Sequence, residues 1–144
     1  MSAGRGLTVG LRATVTAEVT DADTAIALGS GDVAVLGTPR LLALAEAASV
    51  AAVAPQLGSG QTSVGVEVSL EHSKPSPVGS IVEVSAELTE IHGRRLVFSF
   101  IAYTQGESEG DGEDAVLGAG TVQRMLVDRE RFLATAAVPS QPHG

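Results

Sequence analysis

The stretch TPRLLALAEAASVAAVAP, residues 38 to 55, predicts one long apolar helix around which the rest of the chain must fold. Thr38 is expected to be the N-cap, because its hydroxyl can accept a hydrogen bond from an amide of the first turn, and Pro39 falls at the first helical position. Leucine, alanine and valine fill the middle, and Pro55 ends the run. Because almost no polar face is left for water, other elements must cover most of this helix.

Composition and charge restrict the class of protein. A chain of 144 residues, 44% of them hydrophobic, can build one domain, which we place at about residues 7–135 with a loose tail at 137–144. The net charge of −8 argues against nucleic acid or a membrane surface as partner, and the absence of cysteine excludes disulfides and thiolate metal sites. The first ten residues lack the pattern of a signal peptide, so we expect a cytoplasmic protein.

Five segments are predicted to be strands, because apolar residues alternate along them or because they flank a tight turn. They are Leu11–Val19, Ser63–Leu70, Ile81–Ile91, Arg95–Tyr103 and Ala115–Val127. The inward positions of the second strand are expected to be Val64, Val66, Val68 and Leu70. One strand, one long helix and four further strands predict an α+β fold, with an antiparallel sheet curled around the helix. Since one sheet does not cover a helix that is apolar on all sides, we also expect a dimer.

Two side chains are candidates for chemistry. Glu46 is the only charged residue between Leu41 and Val66, and a carboxylate in apolar surroundings loses solvation unless it is paired. It is either a stray residue at an exposed point of the helix or a general base or nucleophile. His72 follows an alternating strand and precedes a proline-rich turn, where functional side chains commonly lie, although an ordinary loop histidine fits the same pattern. The spacing of the three histidines does not fit a metal site.

A set of short segments spread over most of residues 7–135 carries a family pattern. The first part runs from Val35-Leu36-Gly37-Thr38 through Glu46-Ala47-Ala48-Ser49 and Gly65 to His72-x-x-Pro75-x-Pro77-x-Gly79. The second part runs from Val82-x-Val84-x-Ala86-Glu87-Leu88 through Gly93-Arg94-Arg95-Leu96 to Gly118-x-Gly120-Thr121-x-x-Arg124. Together they resemble the fluoroacetyl-CoA thioesterase-like branch of the hotdog superfamily.

The resemblance implies a hotdog fold, in which a curved antiparallel sheet wraps a long central helix, with a homodimer as the working form. It implies hydrolysis of acyl-CoA thioesters by a catalytic set that falls here on Thr38, Glu46 and His72. Gly65 and Arg124 match positions that contact substrate. No cofactor is implied, because CoA is part of the substrate, and the pairing of dimers into tetramers is left open. Eight helical residues place Thr38 and Glu46 about 12 Å apart along the axis, so we expect the dimer interface to complete the site.

Selectivity is where this chain departs from the resemblance. In the fluoroacetyl-specific enzyme a phenylalanine-rich segment precedes the catalytic threonine and shapes the acyl pocket, whereas Ala25–Leu36 contains no aromatic residue. We therefore predict a different short or medium acyl group. Four basic residues are candidates to meet the phosphates of CoA: Lys74, Arg94, Arg95 and Arg124.

Two alternatives keep the same fold. The first is a non-catalytic hotdog dimer that binds an acyl-CoA or a related ligand, and turnover of any thioester would exclude it. The second is hydration or dehydration of an enoyl thioester. That chemistry usually pairs an aspartate with a histidine, and no aspartate lies between Asp32 and Asp111.

Overall fold

The computed structural model describes residues 6–105 and 116–136. Its elements, in chain order, are β1 (Arg12–Glu18), a 3₁₀ turn (Asp21–Asp23), α1 (Ala25–Leu28), α2 (Thr38–Val53), a second 3₁₀ turn (Ala54–Gln56), β2 (Gln61–His72), β3 (Ile81–His92), β4 (Arg95–Thr104), β5 (Val116–Asp128) and α3 (Arg129–Thr135). The predicted tail at 137–144 lies outside the described residues, and so does Ala115, the first residue of the last predicted strand.

The five strands form one antiparallel sheet in the order β1-β3-β4-β5-β2. A tight turn joins β3 to β4, and Gly93 in that turn has a φ of 63°, a left-handed conformation that glycine adopts without steric cost. Strand β2 follows the long helix in the chain but lies at the edge of the sheet opposite β1. Its outer side therefore presents backbone groups that β5 does not pair.

Helix α2 packs against one face of this sheet and forms the core with it. The buried residues of the helix include Leu41, Leu44, Ala45, Ala48, Ala52 and Val53. The largest fully buried side chain of the sheet is Phe98, and Val82, Val84, Leu88, Leu96 and Val122 are fully buried as well. The predicted α+β fold, with a curved antiparallel sheet against a long central helix, is confirmed.

The opposite face of α2 is exposed in the single chain. Its exposed residues are all small or aliphatic: Ala43, Ala47, Val50 and Ala51, followed by Ala54 in the next turn. The prediction that other elements cover most of the helix is therefore wrong for one chain, because the sheet covers only one side. This apolar face lies free beside the edge strand β2.

The start of α2 differs from the prediction by one residue. Gly37 is the N-cap, Thr38 is the first helical residue, and no side chain caps the helix. The carbonyl of Gly37 accepts hydrogen bonds from the amides of Arg40 and Leu41. Thr38 does not act as the cap because its hydroxyl contacts another element, which is described below.

The predicted inward face of β2 is wrong in its first half. The register with β5 shifts between Gly65 and Glu67, so Val66 is an extra residue in a β-bulge and its side chain is 46% exposed. A bulge changes which side chains face inward on its two sides, and Ser63 and Gly65 therefore face α2 in place of Val64 and Val66. Strict alternation does not reveal such a shift.

Candidate active site

Thr38 and His72 form the first half of the site. Thr38 begins α2, and His72 ends β2, where it lies opposite Gly118 of β5. The hydroxyl oxygen Oγ1 of Thr38 lies 2.8 Å from Nδ1 of His72, which is a hydrogen bond. The resemblance had placed both residues in one catalytic set, and the structure brings them into direct contact.

Burial controls the charge of His72. Desolvation lowers the pKa of the imidazole below its usual 6.5, and a backbone contact with Lys74 only opposes this effect. The ring is therefore neutral at pH 7. In the tautomer that is protonated at Nε2, Nδ1 is free to accept the hydroxyl proton of Thr38. The atom Nε2 is itself buried without a hydrogen-bond partner.

A cleft of about 360 Å³ opens beside this pair. One wall is the segment from Ser30 to Thr38, and the other is the segment from His72 to Pro75. The first segment is held in place by backbone hydrogen bonds, in which Leu36 donates to the carbonyl of Ser76 and Gly37 donates to that of Asp23. The lining is aliphatic or small and contains no aromatic residue, and Lys74 and Asp32 are its charged members.

Glu46 and Arg124 form the second half of the site. Oε2 of Glu46 lies 2.9 Å from Nη1 of Arg124, and the two side chains are 31% and 9% exposed. Burial lowers the pKa of the Arg124 guanidinium, and the negative charge of Glu46 raises it again. Because the guanidinium remains charged at any physiological pH, the contact is an ion pair. Glu46 is thus a partly buried, paired carboxylate and not a stray surface residue.

Gly65 and Ser63 complete the surroundings of this ion pair. A Cβ added to Gly65 would overlap Oε2 of Glu46 and would lie 3.3 Å from Nη1 of Arg124. Nε of Arg124 donates to Oγ of Ser63 at 2.8 Å, and Nη2 donates to the backbone carbonyl of Ser63 at 2.9 Å. The glycine at position 65 is therefore required by the close approach of the carboxylate.

The two halves of the site lie at different places in the single chain. Thr38 and Glu46 are two turns apart on α2, and Gly65 and His72 are seven residues apart on β2, which corresponds to about 20 Å of strand. Thr38 bonds to His72, so it does not orient Glu46 in the same chain. The expectation that one chain alone cannot assemble Thr38, Glu46 and His72 agrees with this separation.

Among the basic candidates for CoA phosphates, Lys74 is the one that lines the cleft. Arg95 donates from Nη1 to Oε1 of Gln123 at 2.6 Å, and Arg124 is buried against Glu46 and Ser63. Sequence reasoning missed Ser63 as part of the site. Its signal would have been a serine at a position that faces the helix, but the unrecognised bulge hid that orientation.

Within residues 6–105 and 116–136, no group of three or more histidine, aspartate or glutamate side chains is placed to hold a metal ion. In the same ranges, no helix has both the length and the apolar character needed to cross a bilayer.

Comparison with known proteins supplies the family. Residues 19–130 match the sequence model of FlK, the fluoroacetyl-CoA-specific thioesterase. The chain belongs to this family. It is 36% identical over 100 residues to the fluoroacetyl-CoA thioesterase of Streptantibioticus cattleyicolor, a match that covers 69% of this chain and 66% of the relative, just under two thirds of its length. The predicted resemblance is therefore confirmed.

Solved structures agree with the family assignment. A threonine-to-serine variant of FlK, solved in complex with acetyl-CoA, superposes with a TM-score of 0.78 at 31% identity and covers 90% of this chain and 96% of that one. A hot-dog-like protein from Thermanaerovibrio acidaminovorans superposes with a TM-score of 0.79 at 19% identity and covers 94% of this chain and 95% of that one, which supports the fold alone. The predicted hotdog fold is confirmed.

Proposed function

We propose that this chain is an acyl-CoA thioesterase that works as a cytoplasmic homodimer. The observation that carries the proposal is the 2.8 Å hydrogen bond between Thr38 and His72 at the wall of the cleft, in a chain of the fluoroacetyl-CoA-specific thioesterase family. A neutral imidazole joined to a hydroxyl can move a proton at an attacked carbonyl group. The partly buried carboxylate of Glu46 supplies the second group that thioester hydrolysis needs.

In the proposed reaction, water cleaves the thioester to a carboxylic acid and a thiol. Nδ1 of His72 takes a proton of the attacking water through the hydroxyl of Thr38, and the C–S bond of the tetrahedral intermediate then breaks. His72 returns the proton by the same route to the leaving thiolate sulfur. Glu46 either forms a bond to the carbonyl carbon first, giving an anhydride that this water opens, or activates the water directly.

We propose that the two halves of the site meet across a dimer interface. The outer side of β2 and the exposed apolar face of α2 lie side by side, and both call for a partner. If two β2 strands pair antiparallel about an axis between Val68 and Ser69, Gly65 of one chain lies opposite His72 of the partner subunit. Glu46 and Arg124 of one chain would then approach the Thr38–His72 pair of the other.

The acyl group is proposed to be short or medium in length and not restricted to fluoroacetyl. The segment that forms one wall of the cleft carries Val33, Val35 and Leu36 and no aromatic side chain. Aliphatic walls without a ring leave space for further methylene groups, and burial of each one contributes about 0.8 kcal/mol to binding. Lys74 is the basic side chain closest to hand for a phosphate of CoA, because it lines the same cleft.

Thiol release from acyl-CoAs of two to ten carbons tests the proposed function directly. We expect wild-type turnover that extends beyond two-carbon acyl groups. Thr38→Ala, Glu46→Gln and His72→Ala should each lower kcat/KM by at least about 100-fold, because each removes a group that moves or orients a proton. The matched controls Thr16→Ala, Glu18→Gln and His92→Ala change exposed residues on β1 and in the hairpin and should retain full activity.

Two results would overturn the proposal. Folded dimers that bind acyl-CoAs but turn over no thioester would indicate the non-catalytic, ligand-binding alternative. Full activity of Glu46→Gln would remove Glu46 from the mechanism even if the protein proved to be a thioesterase.

A further inference from the structure

The buried guanidinium of Arg124 connects Glu46 to a residue that has no role in the reaction described above. Three nitrogens of Arg124 donate hydrogen bonds, and a single residue, Ser63, receives two of them. Its hydroxyl accepts from Nε at 2.8 Å, and its backbone carbonyl accepts from Nη2 at 2.9 Å. The third nitrogen, Nη1, donates to Oε2 of Glu46 at 2.9 Å.

This pattern fixes the plane of the guanidinium. Two bonds to one residue act as a clamp, because the donors of arginine lie in a rigid planar fork. Ser63 and Arg124 are both buried, with 8% and 7% exposure, so water does not readily replace a lost acceptor. The orientation of the third donor, and with it the position of the Glu46 carboxylate, depends on the two bonds to Ser63.

The backbone of β2 adds to this arrangement. The bulge between Gly65 and Glu67 gives Ser63 and Gly65 their orientation toward α2, so the clamp and the space for the carboxylate come from the same strand. The carboxylate lies between the bare Cα of Gly65 on one side and the guanidinium on the other. Glu46 therefore has little freedom to rotate while the clamp is intact.

We propose that Ser63 is a positioning residue for Glu46 and acts through Arg124, an inference that rests on the proposed thioesterase function. In this role Ser63 contacts neither substrate nor the reacting atoms. Its hydroxyl holds the guanidinium, and the guanidinium holds the carboxylate at the angle from which it acts on the carbonyl carbon or on water. Loss of the hydroxyl leaves Arg124 charged but free to turn.

A double-mutant cycle separates this role from a general effect on folding. Ser63→Ala is expected to lower kcat at least about tenfold with KM changed less than about twofold, because the catalytic group is displaced while the cleft is unchanged. Ser63→Thr, which keeps the hydroxyl, should recover most of the activity. In the Glu46→Gln background Ser63→Ala should have no further effect on residual turnover, because the group it positions is already gone. Ser99→Ala, at an exposed position of β4, is the matched control and should match wild type.

Arg124→Lys is the second variant, for use if Ser63→Ala does not fold. A lysine keeps the positive charge but lacks the fork, so the same loss of kcat and the same absence of an added effect on Glu46→Gln are expected. Equal losses in the wild-type and Glu46→Gln backgrounds, or wild-type kcat in Ser63→Ala, would overturn the proposal.

An NMR measurement keeps the inference independent of activity. The Nε–H signal of Arg124, identified by its loss in Arg124→Lys, should exchange slowly with solvent in the wild type and in Ser63→Thr but rapidly in Ser63→Ala. If the wild type hydrolyses no thioester, the proposed function fails while this signal still tests the clamp. Slow exchange in Ser63→Ala would show that Ser63 does not hold the guanidinium.

Discussion

The bond between Thr38 and His72 joins a hydroxyl to an imidazole that burial keeps neutral. Sequence chemistry alone selected Glu46 and His72, because a lone charge in an apolar helix and a histidine at a strand end are unusual. Thr38 was explained completely as a helix cap, and only the family resemblance gave it a catalytic role. In the structure the cap is Gly37 and the hydroxyl of Thr38 bonds to His72. A capping motif and a catalytic hydroxyl look alike in sequence.

The pKa of His72 gives a prediction for the pH dependence of the reaction. Burial lowers this pKa below the usual 6.5, so the neutral form that accepts a proton persists as the pH falls through 6.5. We expect kcat/KM of the wild type to fall on the acid side with a midpoint below pH 6.5. His92→Ala removes the exposed histidine of the hairpin and should leave the profile unchanged. An acid midpoint at or above 6.5 in the rate profile would contradict a neutral, buried His72 as the proton acceptor.

Strand β2 shows which structural element the sequence could not define. Alternation predicted the strand, the helix before it and the hairpin after it, because hydrophobic period and turn residues are local signals. The bulge at Val66 is a local signal too weak to detect, since one extra residue leaves the apolar pattern of 64, 66, 68 and 70 intact. That residue decides the site, because Ser63 and Gly65 face Glu46 and Arg124 only with the bulge in place.

A substitution at Gly65 tests this element. In Gly65→Ala the new Cβ would overlap Oε2 of Glu46, so the carboxylate must turn away and its bond to Arg124 breaks. We expect a loss of about 1–3 kcal/mol in the free energy of unfolding, the typical cost of leaving a buried donor without its partner. In the Glu46→Ala background, which has no carboxylate, Gly65→Ala should change the stability much less. Urea denaturation of the four proteins measures the difference, and equal losses in both backgrounds would contradict the assigned contact.

The whole molecule is defined by what one chain lacks. The sequence predicted the hotdog fold and the need for a partner, because a helix with no polar face requires cover on more than one side. The single chain leaves one face of α2 and one edge of the sheet exposed and holds Thr38–His72 apart from Glu46–Arg124. Which surface pairs with which could not be read from the sequence, because that depends on the register of two edge strands in three dimensions.

Complementation between two inactive variants tests the divided site most directly. Differently tagged Glu46→Gln and His72→Ala chains are co-expressed, and the heterodimer is purified and assayed for thiol release from the best acyl-CoA. If each site takes Glu46 from one chain and Thr38–His72 from the other, one site of the heterodimer carries both defects and the other carries none. We therefore expect about half of the wild-type activity from the heterodimer, as this active-site arithmetic requires. A heterodimer as inactive as both parent variants, beside an active wild type, would contradict the account, because it would place the complete site within a single chain.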